Sequence, residues 1–104
     1  MTAPRGDLHH SHESVRARII IVGRVQRVYF RAETKTQALT LGLTGWVRNH
    51  GDNVEAVFEG TREAVTQMAE WCHEGPPRAA VEHVEIAWEQ PEGLTGFRIR
   101  PSRY

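Results

Sequence analysis

Two short stretches hold the residues whose types and spacing could do chemistry. The first is Gly23-Arg24-Val25-Gln26-Arg27-Val28-Tyr29-Phe30-Arg31. It falls between a run of β-branched residues and the start of a helical pattern, and loops at such junctions aim several backbone N–H groups into one small space. The helix start adds unpaired N–H groups and a partial positive charge, so a phosphate fits there without a metal. Arg31, in the first helical turn, can reach back over the same anion, and its planar fork offers two parallel donors to phosphate oxygens. On the residues alone, an ordinary strand-to-helix loop with solvated arginines fits equally well. The second stretch is Leu41-Gly42-Leu43-Thr44-Gly45-Trp46-Val47-Arg48-Asn49. Asn49 ends a strand just before a turn. Its neutral amide can orient a water by donating and accepting at once, although an asparagine there more commonly caps local backbone.

The distribution of charge bears on what these stretches would bind. The chain has 104 residues, 13 basic and 13 acidic, and a formal net charge of zero. That balance argues against bulk capture of nucleic acid or of an anionic membrane. Yet Arg16, Arg18, Arg24, Arg27 and Arg31 share a stretch with no acidic residue, whereas Glu63 to Glu92 is rich in glutamate and holds a single arginine, Arg78. A local arginine cluster in a neutral protein suits a small anionic ligand. Arginine is also the general cation of this chain, since Lys35 is its one lysine. The single cysteine, Cys72, excludes an intramolecular disulfide and sits on an apolar helical stripe, as a core thiol would. No run approaches the ~20 apolar residues of a membrane span, and the first residues lack a signal peptide's apolar core. A reducing cytoplasm is the expected compartment.

The elements that must position these stretches follow from periodicity. Met1 to Ser14 is polar and aperiodic and reads as a disordered leader, with residues 15–104 as one domain. The leader's His9, His10 and His12 lack the further ligands of a fixed metal site, so neither metal nor cofactor is expected. Ala17 to Gly23 reads as a central strand. Phe30 to Leu41 reads as a helix, with Phe30, Thr34, Ala38 and Leu41 on one face and Gly42 suited to its C-terminal end. Leu43 to Asn49 and Val54 to Glu59 form a hairpin across His50-Gly51-Asp52-Asn53. Thr61 suits an N-cap for a helix carrying Val65, Met68, Ala69 and Cys72, which Gly75-Pro76-Pro77 ends. Ala80 to Trp88 is a fourth strand. Thr95 to Arg100 is a short closing strand with Phe97 and Ile99 facing inward. The order βαββαβ predicts an α+β, ferredoxin-like sandwich: a mostly antiparallel sheet, two helices on one face and a short fifth strand. That fold hosts many functions and settles no chemistry.

The residues narrow it further. Gly23-x-Val25-Gln26 followed by Val28-x-Phe30-Arg31 resembles the signature loop of acylphosphatases. Leu41-Gly42-Leu43-x-Gly45-Trp46-Val47-x-Asn49 is similar to that family's second signature. Weaker echoes occur at Glu59-Gly60, Gly75-Pro76-Pro77, Ala80-Val81 and Phe97-Arg98-Ile99, so the resemblance runs from Ala17 to Arg100. It implies a ferredoxin-like fold and metal-independent hydrolysis of acyl phosphates to carboxylate and inorganic phosphate. It further implies that Arg31 binds the phosphoryl group, that the loop from Val25 through Gln26, Arg27, Val28 and Tyr29 to Phe30 cradles it, and that Asn49 orients the attacking water. The implied partner is a small acyl phosphate, with phosphate or sulfate as occupants of the same site and a monomer as the working state.

Two positions depart from the family pattern. Arg27 stands where glycine is usual, and Tyr29 where glycine or phenylalanine is common. Glycine in an anion cradle permits positive φ or close backbone approach. The alternative that follows is a non-catalytic anion-binding module, its cradle altered by Arg27. RNA binding would need exposed aromatics on the open sheet face, and no aromatic pair occupies the middle strands.

Overall fold

A computed structural model of the chain describes residues 13–104. The predicted leader, with His9, His10 and His12, lies outside the described residues apart from Glu13 and Ser14. The elements are β1 (Val15–Arg24), α1 (Phe30–Thr40), β2 (Thr44–His50), β3 (Asn53–Gly60), α2 (Arg62–Glu74), β4 (Ala80–Glu89) and β5 (Phe97–Ile99). They form one five-stranded sheet in the order β4-β1-β3-β2-β5. All pairings are antiparallel except β2 with β5, which is parallel. This is the ferredoxin-like sandwich that the element order predicts.

Both helices cover one sheet face. Ile19 and Ile21 of β1, Val47 of β2 and Val54, Ala56 and Phe58 of β3 join Phe30 and Ala38 of α1 and Val65, Met68 and Cys72 of α2 in a single buried cluster. Cys72 is fully buried, and its desolvation pushes the thiol up to about 12. Thr61 caps α2, accepting from the Ala64 amide at 3.2 Å. Gly42 ends α1 with φ 72°, while the amides of Gly42 and Leu43 return to the carbonyls of Leu39 and Ala38 at 3.1 and 2.8 Å. That pair of bonds is a Schellman closure, and it turns the chain sharply into β2. Gly45 is required for a different reason: a Cβ there would lie 1.8 Å from the Val57 carbonyl oxygen.

Among the described residues the other sheet face carries no helix and is covered by charge. Arg16 donates to Glu59 at 2.8 Å and to Glu89 at 2.9 Å. Arg18 pairs with Glu55 and Glu89, and Arg48 with Glu55 at 2.8 Å. Beneath these groups lie Val57 and Trp46, the indole flanked by the guanidinium carbons of Arg18, Arg48 and Arg100 at 5.6, 4.8 and 4.7 Å. Because β4 and β5 are opposite edges, the segment joining them must cross the sheet. Glu59 pins it by accepting from the amides of Glu92, Gly93 and Leu94 at 2.8, 3.1 and 3.0 Å. Burial pushes the Glu59 carboxyl up, but the Glu92 amide, Arg16 and the Leu94 and Gly93 amides outweigh it and hold it below the usual carboxylate range. Among the described residues no helix is long and apolar enough to cross a membrane.

The closing strand is shorter than predicted, and its last residue differs. Phe97 is buried and stacks on Phe58 with ring centroids 5.7 Å apart. Ile99 is 43% exposed, because β5 is an edge strand and the helix face there gives way to a cavity.

Candidate active site

The site begins where β1 stops behaving as a strand. Its register against β4 shifts between Val22 and Gly23, and the chain then leaves the sheet. Val25, almost fully buried, anchors the loop to the core, with Val28 packed at its edge and Phe30 buried at its end. The residues between these anchors adopt left-handed backbone: φ is 62° at Arg27 and 63° at Tyr29. Positive φ at alternate positions curls the chain so that successive N–H groups converge. The two family departures therefore sit where glycine would be expected, and both take up the glycine conformation with a side chain attached. Each strained residue costs roughly 1–2 kcal/mol, which the buried anchors on either side must offset.

Tyr29 is also the N-cap of α1, and no side chain caps this helix. Its carbonyl accepts from Glu33 at 2.9 Å, starting the helix, while the first-turn amides keep their donors for another acceptor. The loop and this helix start enclose a cavity of about 400 Å³, lined by Val25, Gln26, Arg27, Tyr29, Phe30, Arg31, Ala32 and Ile99. Among the described residues neither Arg27 nor Arg31 has a carboxylate within ion-pair distance, in contrast to Arg16, Arg18 and Arg48. The cavity thus combines helix-start amides with two guanidiniums that have no counter-ion among the described residues. That combination suits an anion chemically.

This geometry corrects the reading of the arginine cluster. Arg16 and Arg18 point to the opposite face of the sheet and bind Glu55, Glu59 and Glu89. Arg24 pairs with Ala80 at the strand end and does not line the cavity. Only Arg27 and Arg31 of the five reach the anion site. Glu55, which those structural arginines neutralise, is pushed up by burial but held lower overall by Arg48 and Arg18.

Two more of the predicted residues lie elsewhere. Val28 is not in the cavity wall; it packs against the core and serves the loop's shape. Asn49 is also outside the wall. It lies on the helix side of β2, two residues beyond Val47, which is paired with the wall residue Ile99. Its backbone is held from both sides, by pairing with Val54 and by its carbonyl accepting from Arg103 at 2.9 Å. Its Oδ1 is buried and accepts no hydrogen bond among the described residues. The backbone-capping role common for asparagine before a turn is therefore not what this oxygen does.

Gln26 joins the two stretches physically. Its Nε2 donates to the carbonyls of Gly51 at 2.7 Å and Asn53 at 2.9 Å, on the turn that follows Asn49. Both amide hydrogens are thereby engaged, and the cavity loop is strapped to the strand that carries Asn49. Neither this strap nor the place of Ile99 was legible in composition or spacing, because each depends on which loops meet in space. The only sequence signal was that both residues fall within family-like motifs.

Comparison with known proteins places the chain in a family. The family model described as Acylphosphatase matches residues 17–99. An acylphosphatase from a Nostoc species is 54% identical over 87 residues, covering 83% of this chain and 86% of the relative. One from Natronomonas pharaonis is 53% identical over 89 residues, covering 85% of this chain and 97% of the relative. Among solved structures, an acylphosphatase from Coxiella burnetii superposes with a TM-score of 0.81 at 38% identity, covering 84% of this chain and 93% of that one. With the family match spanning the fold, the anion cavity and the strand of Asn49 alike, the chain belongs to the acylphosphatase family.

Proposed function

We propose that the cavity between the β1–α1 loop and β5 receives the phosphoryl group of an acyl phosphate, and that the chain hydrolyses it without a metal. The observation that carries this reading is the convergence on one cavity of a helix start and two guanidiniums that, among the described residues, have neither a side-chain cap nor a carboxylate partner. Arg31, half-buried in the first turn of α1, holds two non-bridging oxygens with its fork. The amides of the Val25–Phe30 loop hold the phosphoryl from the other side, and Arg27 adds a second positive charge at the exposed rim. Asn49, near the end of β2, orients the attacking water with its side-chain amide.

The water oxygen bonds to phosphorus as the bond from phosphorus to the bridging oxygen breaks. The electron pair leaves with the carboxylate, and one water proton passes to a phosphoryl oxygen, giving dihydrogen phosphate. The mixed anhydride is already activated, so positioning and charge stabilisation suffice, with no covalent intermediate and no general base. A small one-domain chain of 104 residues suits a monomer as the working form. The lone buried thiol suits a reducing cytoplasm.

The test is hydrolysis of benzoyl phosphate by purified protein in excess chelator. Turnover should persist. Arg31→Ala and Asn49→Ala, each folded by circular dichroism, should each lose at least about 100-fold. Activity that vanishes with chelator and returns with a metal ion would overturn the metal-independent mechanism.

A further inference from the structure

The phosphoryl end of the cavity is polar, but the rest of its wall is not. Two of the exposed large apolar side chains, Tyr29 at 77% and Ile99 at 43%, come from different elements and line this one cavity. Ala32 lies between the helix start and open solvent on the same wall. Exposed apolar groups scattered singly need no explanation; two that converge on an anion cavity are a feature of the site. The backbone of each is held in place. Tyr29 is fixed by left-handed backbone at φ 63° and ψ 22°, and its carbonyl is the first acceptor of α1. Ile99 is fixed by its pairing with Val47, closed by the Arg100 amide donating to the Val47 carbonyl at 2.9 Å.

A volume of about 400 Å³ lies in the range of small-molecule pockets and has room beyond a phosphate. When Arg31 and the loop amides hold the phosphoryl group, the acyl group must project along the remaining wall. We infer that Tyr29 and Ile99 form an acyl-group ledge that makes this enzyme prefer apolar, above all aromatic, acyl phosphates over small or carboxylated ones. This inference rests on the proposed phosphoryl site and adds the substrate class to it. The phenol ring offers a face for stacking, and such contacts strengthen binding by a modest, measurable amount.

The experiment compares kcat/KM for benzoyl, acetyl and succinyl phosphate in wild type, Tyr29→Phe, Tyr29→Ala and Ile99→Thr. Ratios between substrates cancel any shared change in phosphoryl binding. Wild type should favour benzoyl phosphate. The benzoyl-to-acetyl ratio should fall about five- to tenfold in Tyr29→Ala, fall less in Ile99→Thr, and survive in Tyr29→Phe, with the loss carried by KM for the benzoyl substrate. An unchanged ratio in both Tyr29→Ala and Ile99→Thr, or a wild-type preference for succinyl phosphate, would overturn the ledge while leaving the hydrolase intact. Wild-type failure on all three substrates would overturn the hydrolase reading itself, and the ledge with it.

Discussion

Replacing Gln26 with alanine separates a strap from a ligand. Gln26 donates both amide hydrogens to main-chain carbonyls of the turn after Asn49, at 2.7 Å to Gly51 and 2.9 Å to Asn53. A net contribution of about 0.5–1.5 kcal/mol per hydrogen bond, with the Gly51 bond exposed and at the low end, gives about 1–2 kcal/mol for the pair. At roughly 4–8 °C per kcal/mol for a domain of this size, the melting temperature should fall by about 4–16 °C. The effect on catalysis should exceed that on stability. Without the strap, the phosphoryl cradle and the strand of Asn49 lose their direct link, and displacements near 1 Å between reacting groups can cost about 100-fold. Well below the melting temperature, kcat for benzoyl phosphate should drop at least about tenfold, while the inhibition constant for inorganic phosphate moves less than threefold. Gln26→Glu should behave no better than alanine, since a carboxylate cannot donate to two carbonyls. If Gln26→Ala instead weakens phosphate binding tenfold and leaves kcat unchanged, the side chain is a substrate ligand and the strap is wrong.

Other perturbations test the scaffold. Gly45→Ala would place a methyl group 1.8 Å from the Val57 carbonyl oxygen; it should destabilise the fold by about 3 kcal/mol or more by urea unfolding, and a loss under 1 kcal/mol would contradict that close approach. Glu59→Gln should cost about 3 kcal/mol, since it breaks a buried pair with Arg16 while Glu89 still holds that guanidinium. The carboxyls of Glu59 and Glu55 are held below their unfolded values, so the stability they contribute is present above an unfolded pKa of ~4.3 and lost as pH falls through their folded values. Urea midpoints should therefore drop steeply below about pH 4, and Glu59→Gln should flatten the profile. Arg27→Gly should relieve left-handed strain at φ 62° and raise stability by up to about 1 kcal/mol after the entropy of the freer unfolded chain is subtracted.

The scaffold was largely readable because its periodicities are strong. Val65, Met68, Ala69 and Cys72 mark α2, and the predicted helices and first four strands lie within about two residues of those observed. Arg27 stands where the family pattern has glycine and Tyr29 where it has glycine or phenylalanine, and both have positive φ. What escaped is what alternation cannot encode. Arg16 and Arg18 are near Arg27 and Arg31 in sequence, yet a period of two turns them to the far face, where their glutamate partners come from β3 and β4. Ile99 read as inward by alternation, but inward on an edge strand here means toward a cavity. The two hydrogen bonds of Gln26 span 25 and 27 residues, beyond the reach of any local pattern.

The division of labour between Arg31 and Asn49 is the centre of this account, and equilibrium phosphate binding measured beside turnover tests it most directly. Isothermal titration with inorganic phosphate should show binding lost in Arg31→Ala but retained within about threefold in Asn49→Ala, although Asn49→Ala has lost its turnover. Phosphate binding that survives in Arg31→Ala, or full turnover in Asn49→Ala, would contradict it.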